Sequence, residues 1–262
     1  STCSPRKRRS LTIVAEKLDK SGQAASAPAL QRARGRATIS TLQRDGRTRL
    51  ATLYQDGCAK IRLPNTHSAA LEAVLINTAG GLTGDDHIEW SAGLAAGGRL
   101  VLTTQACERI YRSIGGPARI ETRLDIGADA HLDWLPQETI LFAASRLERC
   151  MQIDLADGAS LTAVEAVLLG RDAMGESAMD AQLHDNWRIR RNGRLLHAEA
   201  TWLDGTPEAR NGPSLLAGCR ALATVLHVAP TADHCSAATA RLRSLLPREG
   251  IIAASANGER LV

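Results

Sequence analysis

Aromatic residues are scarce in this chain: Phe, Trp and Tyr together make up 3% of its 262 residues. A folded core must therefore be built from aliphatic side chains, which the hydrophobic fraction of 44% supplies. Long apolar runs are also missing, since no window of about 18 apolar residues occurs and the N-terminus lacks the apolar stretch of a signal peptide. We therefore expect a cytoplasmic protein without membrane association.

The sequence also lacks the motifs of strong metal and nucleotide sites. The cysteines form no CxxC pair, which excludes a zinc ribbon and a dense disulfide framework. The glycine-rich segment GGLTG at 80–84 does not end in the Gly-Lys-Ser/Thr of a phosphate-binding loop. We therefore predict no stable metal site and no tightly bound cofactor.

Positive charge is concentrated in the first part of the chain. The first 36 residues contain nine Lys or Arg and two acidic residues, a net charge of +7, so the overall charge of +4 leaves −3 for the rest. The segment PRKRR at 5–9 has no interleaved aromatic residue, and we predict no nucleic-acid partner. The composition predicts a disordered basic leader over residues 1–35 and a single domain over residues 36–262.

Alternating segments separated by turn residues indicate β-strands from residue 37 onward. Residues 37–64 predict an antiparallel meander, because Asp-Gly pairs at 45–46 and 56–57 separate its segments and this dipeptide is typical of hairpins. A weaker repeat follows, in which SAGLAAGGRLVLTT, TRLDIGADAHLDWL and QIDLADGASLTAVEAV each join two strands through small residues.

The repeat has a period near thirty residues, since the equivalent leucines Leu100, Leu132 and Leu161 are 32 and 29 residues apart. Such a repeat favours coils stacked as in a β-solenoid, although a sandwich of evenly spaced hairpins gives a similar pattern. Helical spacing of apolar residues returns after Pro213, in SLLAGCRALATVLHV and then in SAATARLRSLL. The predicted fold class is all-β, a β-helix-like stack of many short strands with two C-terminal α-helices from about residue 213.

Three blocks carry most of the functional information: NTAGGLTGDD at 77–86, TTQACERIYRS at 103–113 and LPQETILF at 135–142. The glycines of the first block allow tight turns and close backbone approach. The other two place polar groups at strand-like spacing beside apolar ones. None of the blocks contains a complete catalytic machine, and the pattern favours an interaction surface or an ion path.

Two chemical alternatives remain open on the residues alone. Asp129, His131 and Asp133 alternate and would share one strand face, which suits either a divalent ion or a solvated surface. A stand-alone soluble hydrolase would use the region of Cys107 and His131, or the acidic pair at 85–86. No sequence motif frames Cys107 as an activated nucleophile.

The three blocks, followed by LLGRDAMGE at 168–176 and NWRIRRNGRLLHAE at 186–199, resemble the urease accessory protein family UreD, called UreH in some lineages. The resemblance runs from about residue 36 to about 246, in the same order. It implies a β-helix-like fold and a non-catalytic maturation factor that binds the urease apoprotein. It further implies partners UreF and, through UreF, the GTPase UreG, and an internal tunnel for nickel in transit.

The resemblance also assigns candidate residues for a nickel path or a partner surface. They are Asn77, Thr78, Asp86, Thr104, Gln105, Tyr111, Arg112, Gln137, Glu138, Arg171 and Glu176. Of these, Asp86, Glu138 and Glu176 are the expected transient nickel ligands. The chain departs from the family's usual Gly-Gly-Asp, because Asp85 stands where the second glycine is expected.

Overall fold

Two β-sheets packed face to face form the body of the protein. The computed structural model describes residues 31–171, 174–176, 178, 180–204, 210–212, 216–247 and 252–262. The strands are β1 Arg34–Arg44, β2 Arg47–Gly57, β3 Ala59–Arg62, β4 Leu71–Asn77, β5 His87–Leu94, β6 Arg99–Thr104, β7 Glu108–Ile110, β8 Ala118–Ile126, β9 His131–Leu135, β10 Thr139–Leu141, β11 Arg146–Leu155, β12 Ser160–Leu169, β13 Gln182–Arg191, β14 Arg194–Leu203, β15 Ala221–Val228, β16 Ala256–Asn257 and β17 Arg260–Leu261. Helix α1 spans Ala232–Leu245.

The chain winds between the sheets, so that each coil adds one strand to each. The first sheet has seven strands in the order β14-β13-β11-β8-β5-β1-β2. The second has ten strands, with the main order β16-β17-β15-β12-β9-β6-β4-β3 and with β7 and β10 paired beside β12. Neighbouring coils pair in parallel, as in β5 with β8 and β6 with β9. The predicted solenoid-like, all-β architecture is confirmed.

Short turns at one end of the stack lead from the first sheet to the second within each coil. They occupy residues 95–98, 127–130 and 156–159, and the third residue of each has positive φ: Gly97 at 66°, Asp129 at 55° and Gly158 at 66°. Glycine, and to a lesser degree Asp, reaches this left-handed region at low cost. Asp129 therefore lies in a turn before β9, and the prediction that it shares a strand face with His131 and Asp133 is wrong.

The repeat of leucines is confirmed by the strand register. Leu132 in β9 lies opposite Leu100 in β6 and opposite Leu161 in β12. All three side chains are buried in one core cluster that both sheets share. Stacking identical branched side chains from coil to coil fills much of the core in a chain that has few aromatic residues.

The predicted meander is half right. Asp45 and Gly46, both at positive φ, form the hairpin turn between β1 and β2. The second Asp-Gly pair makes no hairpin, because β3 leaves β2 for the other sheet and pairs with β4. Gly57 permits this crossing: its φ is 55°, and a Cβ there would lie 1.9 Å from Arg34 O.

The prediction of two C-terminal helices is half wrong. Residues 221–228 form β15, antiparallel to β12, while residues 213–215 lie outside the described residues. Leu226 and Val228 face inward and are buried, which is the alternation of a strand. The edge of β12 also offers this segment a pairing partner, so residues 221–228 form a strand although their apolar spacing also fits a helix. Only the second predicted helix is present as a complete helix in the described segments, starting after the N-cap Thr231. No helix among the described residues is long and apolar enough to cross a membrane.

Leu132→Ala tests whether the leucine stack holds the coils together. Leu132 is fully buried, so we expect the variant to lose about 2–5 kcal/mol of unfolding free energy through lost burial and a residual cavity. Leu135→Ala in the same strand is the matched control, since Leu135 is exposed and should cost under about 1 kcal/mol. Urea denaturation measures both. Equal losses in the two variants would contradict the stacking account.

Candidate functional site

Four of the five sequence blocks lie at one end of the coil stack, which we call the long-loop end. Its loops are residues 77–86, 105–117, 136–145 and 170–181, each leading from the second sheet to the first. They come together because β4, β6, β9 and β12 are parallel and stop at the same end. The fifth block forms the β13–β14 hairpin instead.

A cavity of about 140 Å³ opens between the first two of these loops. Asn77, Thr104 and Gln105, all predicted site residues, line it together with Cys107 and Glu108. Donors and acceptors of this kind suit a small polar or cationic guest. Glu108 is absent from the residues predicted from sequence, although it stands inside the block TTQACERIYRS.

Glu108 is the perturbed acid of this cavity. Its carboxylate accepts a hydrogen bond from Asn77 Nδ2 at 3.0 Å. Burial raises the pKa of Glu108 to about 7, and the Asn77 hydrogen bond opposes that rise only in part. A carboxyl group that is half protonated near neutral pH can exchange its proton for a cation.

The Asp86 side chain holds backbone segments together. Only 4% of its surface is exposed, and its two carboxylate oxygens accept hydrogen bonds from Ala33 N and Thr83 N, both at 2.8 Å. The side chain therefore ties the glycine-rich loop to the start of β1. Neighbouring Asp85 has φ 66°, the left-handed conformation that glycine would adopt freely, and it forms an ion pair with Arg32 at 3.6 Å.

Tyr111, Phe142 and Arg171 form a layered contact across three loops. The Tyr111 ring meets the Phe142 ring edge-on at 5.1 Å, and the Arg171 guanidinium lies 4.3 Å from the centre of the Phe142 ring. Gly81 allows Tyr111 to approach, since a Cβ there would lie 2.4 Å from the ring. Arg171 is also ion-paired with Glu176. The hydrogen bond from Ala143 N, followed by that from Arg171, lowers the pKa of Glu176.

The remaining predicted residues lie along the same end. Thr78 Oγ1 donates to Cys58 O at 3.0 Å, and Gln137 N donates to Thr104 Oγ1 at 2.9 Å. Arg112 is exposed, and Glu138 is half-buried with no side-chain hydrogen bond or ion pair among the described residues. Glu108 N donates to Glu138 O at 3.0 Å, so these two acidic residues are neighbours.

A second group of acids lies inside the protein, between the sheets. Arg149 and Asp185 come from the first sheet and Glu165 from the second, and all three are buried. Arg149 bonds Glu165 and, at 2.6 Å, Asp185 Oδ2. Trp134 Nε1 donates to Glu165 at 2.8 Å, and Trp187 Nε1 to Asp185 at 3.3 Å. Burial raises the pKa of Glu165, and Arg149 opposes that rise.

The pair named for the hydrolase alternative, Cys107 and His131, is not brought together in the described structure. His131 begins β9 opposite Arg99, whereas Cys107 follows the far end of β6, so they are separated by more than about 15 Å of strand. His131 instead bonds Ser160 Oγ at 2.8 Å and Asp133 at 3.0 Å. Across the described ranges, no three His, Cys, Asp or Glu side chains are grouped to hold a metal ion.

Comparison with known proteins decides the family. A family model described as UreD urease accessory protein matches residues 33–262. The chain belongs to the UreD family. A urease accessory protein UreD of Chelativorans sp. (strain BNC1) is 58% identical over 238 residues, covering 91% of this chain and 85% of the relative. UreD proteins of Rhizobium etli and Sinorhizobium medicae are 50% and 46% identical, over 91% and 87% of this chain and 86% and 82% of theirs.

Membership in the UreD family gives this chain a role in urease maturation, and it is an accessory protein rather than an enzyme. The blocks that carry the family resemblance in the sequence are, with one exception, the loops of the long-loop end. The polar and charged residues of these blocks are therefore concentrated in the loops of the long-loop end. The strands and the tight turns at the opposite end hold those loops in position.

Glu108→Gln tests this half-buried acid through the pH dependence of stability. The folded protein keeps a proton on Glu108 that the unfolded chain loses, so wild-type stability should fall as the pH rises from about 4.5 to about 7. Glutamine does not ionise, so the variant's advantage over wild type should grow by up to about 3 kcal/mol between pH 5 and pH 8. Urea denaturation across this range measures it.

Glu148→Gln is the control, because Glu148 lies in a partly exposed ion pair with Arg119. Its effect should not grow in the same pH window. A Glu108→Gln effect that is equal at pH 5 and pH 8 would contradict the raised pKa.

Proposed function

We propose that this UreD protein binds the urease apoprotein and UreF, contacts UreG through UreF, and takes part in delivering nickel into the urease active site. The observation that carries the proposal is the convergence of four sequence blocks at the long-loop end, around the cavity that contains Glu108. Exposed Tyr111, Ile114 and Met174 at the same end offer apolar surface to a partner protein.

Nickel would pass through this protein as cargo and would not reside in it as a cofactor. Carboxylate and amide oxygens hold nickel less firmly than a closed set of Cys and His ligands, so they allow it to move on. Among the predicted nickel ligands, Glu138 is the least engaged, whereas Glu176 is held by Arg171 and Asp86 by two backbone amides. We therefore place the first acidic contacts of the route at Glu138 and its neighbour Glu108.

Co-expression with UreF tests the partner part of the proposal. We expect the two proteins to co-purify and to elute together from size-exclusion chromatography as a stoichiometric complex, which should then bind UreG. UreG added without UreF should not co-elute with this protein. Elution of this protein and UreF as two separate peaks would overturn the assignment of UreF as the partner.

The nickel part is tested with Glu108→Gln, Glu138→Gln and Glu176→Gln combined. Removing three carboxylates from the long-loop end should lower urease activation at limiting nickel by about tenfold or more, while UreF co-elution persists. The control is Asp125→Ala with Asp154→Ala, which removes two acids near the opposite, tight-turn end of β8 and β11. Full activation with all three glutamates replaced would rule out this route.

A further inference from the structure

The buried group between the sheets is an incomplete charge match. Glu165 and Asp185 carry two negative charges when ionised, and the single Arg149 guanidinium compensates only one of them. All three side chains are at least nine-tenths buried, so bulk water does not compensate the second charge, which must be met by a proton or by a further cation. Two carboxylates facing one point match a divalent cation better than a monovalent one.

The oxygens of this group converge on the guanidinium from both sheets. Arg149 Nη1 contacts Glu165 and, at 3.3 Å, Thr139 Oγ1, while Nη2 contacts Asp185 Oδ2. The second oxygen, Asp185 Oδ1, is buried and has no hydrogen-bond partner among the residues the structure describes. Two carboxylates, one of which keeps this free oxygen, and the Thr139 hydroxyl form a hard-ligand set of the kind that accepts divalent ions.

We propose that Arg149 fills a latent divalent-cation site, with its guanidinium between Glu165, Asp185 and Thr139 in the place that a metal ion would otherwise occupy. Arginine stays protonated, so it competes with a metal ion at every accessible pH. The consequence is that a cation passing through the protein is not retained by this buried carboxylate pair.

The role given to this competition, though not the site itself, rests on the proposed nickel delivery. A protein that hands metal on must avoid trapping it, and a tethered cation lowers the affinity of the carboxylate pair without removing the carboxylates. Arg149 would thus be a positioning residue that sets how readily a buried acidic pair releases a divalent ion.

The test uses Ni²⁺ as the probe and Arg149→Met as the variant, because methionine keeps part of the apolar stem and removes the charge. Isothermal titration should show one Ni²⁺ site in Arg149→Met that wild type lacks, binding about tenfold or more tighter than the background sites. The triple variant Arg149→Met, Glu165→Gln, Asp185→Asn should lose that site. No extra site in Arg149→Met relative to the triple variant overturns the proposal.

Arg149→Met leaves two buried carboxylates without a cation and can fail to fold. In that case Ni²⁺ should restore its near-ultraviolet circular dichroism, and the neutral triple variant should fold without metal. Failure of Ni²⁺ to restore the signal, with the triple variant folded, also overturns the latent site.

Urease activation at limiting nickel tests the role separately. Arg149→Met should activate urease about tenfold less than wild type while still co-eluting with UreF, because the metal is retained. Normal activation by a variant that has gained the site overturns the role alone. If wild-type protein neither binds UreF nor activates urease, the proposed function fails, and the titration still decides the site.

Discussion

Parallel pairing between successive coils is the constraint on which the rest of this structure depends. Because β4, β6, β9 and β12 run in the same direction, these second-sheet strands end at one side, and the tight turns that precede β6, β9 and β12 lie at the other. The tight turns are held to four residues by positive-φ positions such as Gly97 and Gly158. The opposite loops are free to lengthen, and there the chain places its glycine-rich, polar and acidic blocks side by side.

Much of this arrangement follows from patterns that a single sequence shows. The spacing of Leu100, Leu132 and Leu161 gives the coil period, and their register bears it out. The helix predicted after Pro213 was wrong over 221–228, because helical and strand spacing coincide in a short apolar run and the open edge of β12 decides between them. The open edge of β12 is a feature of the tertiary structure, and the spacing of apolar residues within 221–228 carries no information about it.

The sequence indicated which segments lie near the candidate site, but it did not indicate which of their side chains has a shifted pKa. Asn77, Thr104 and Gln105 do line one cavity, whereas the titratable group among them is Glu108, whose raised pKa comes from burial that no motif encodes. Asp86 looks like a ligand in sequence, yet its oxygens are used by two backbone amides. Whether a carboxylate is available to bind a ligand depends on how many hydrogen-bond donors it already accepts from. That number is set by the folded structure and cannot be read from the sequence.

The half-buried Glu108 and the buried pair Glu165 and Asp185 are neutralised in two different ways, and the difference bears on what each can do. Glu108 is neutralised by a proton, which leaves and returns with the solution near neutral pH. Glu165 and Asp185 are neutralised in part by Arg149, whose charge is permanent and leaves only if the side chain moves. A cation that reaches Glu108 has only a proton to displace. At the inner pair it must compete with a tethered guanidinium. On the proposed nickel route, the cavity at the long-loop end would therefore accept a cation without rearrangement of the core, and the inner pair would resist keeping one.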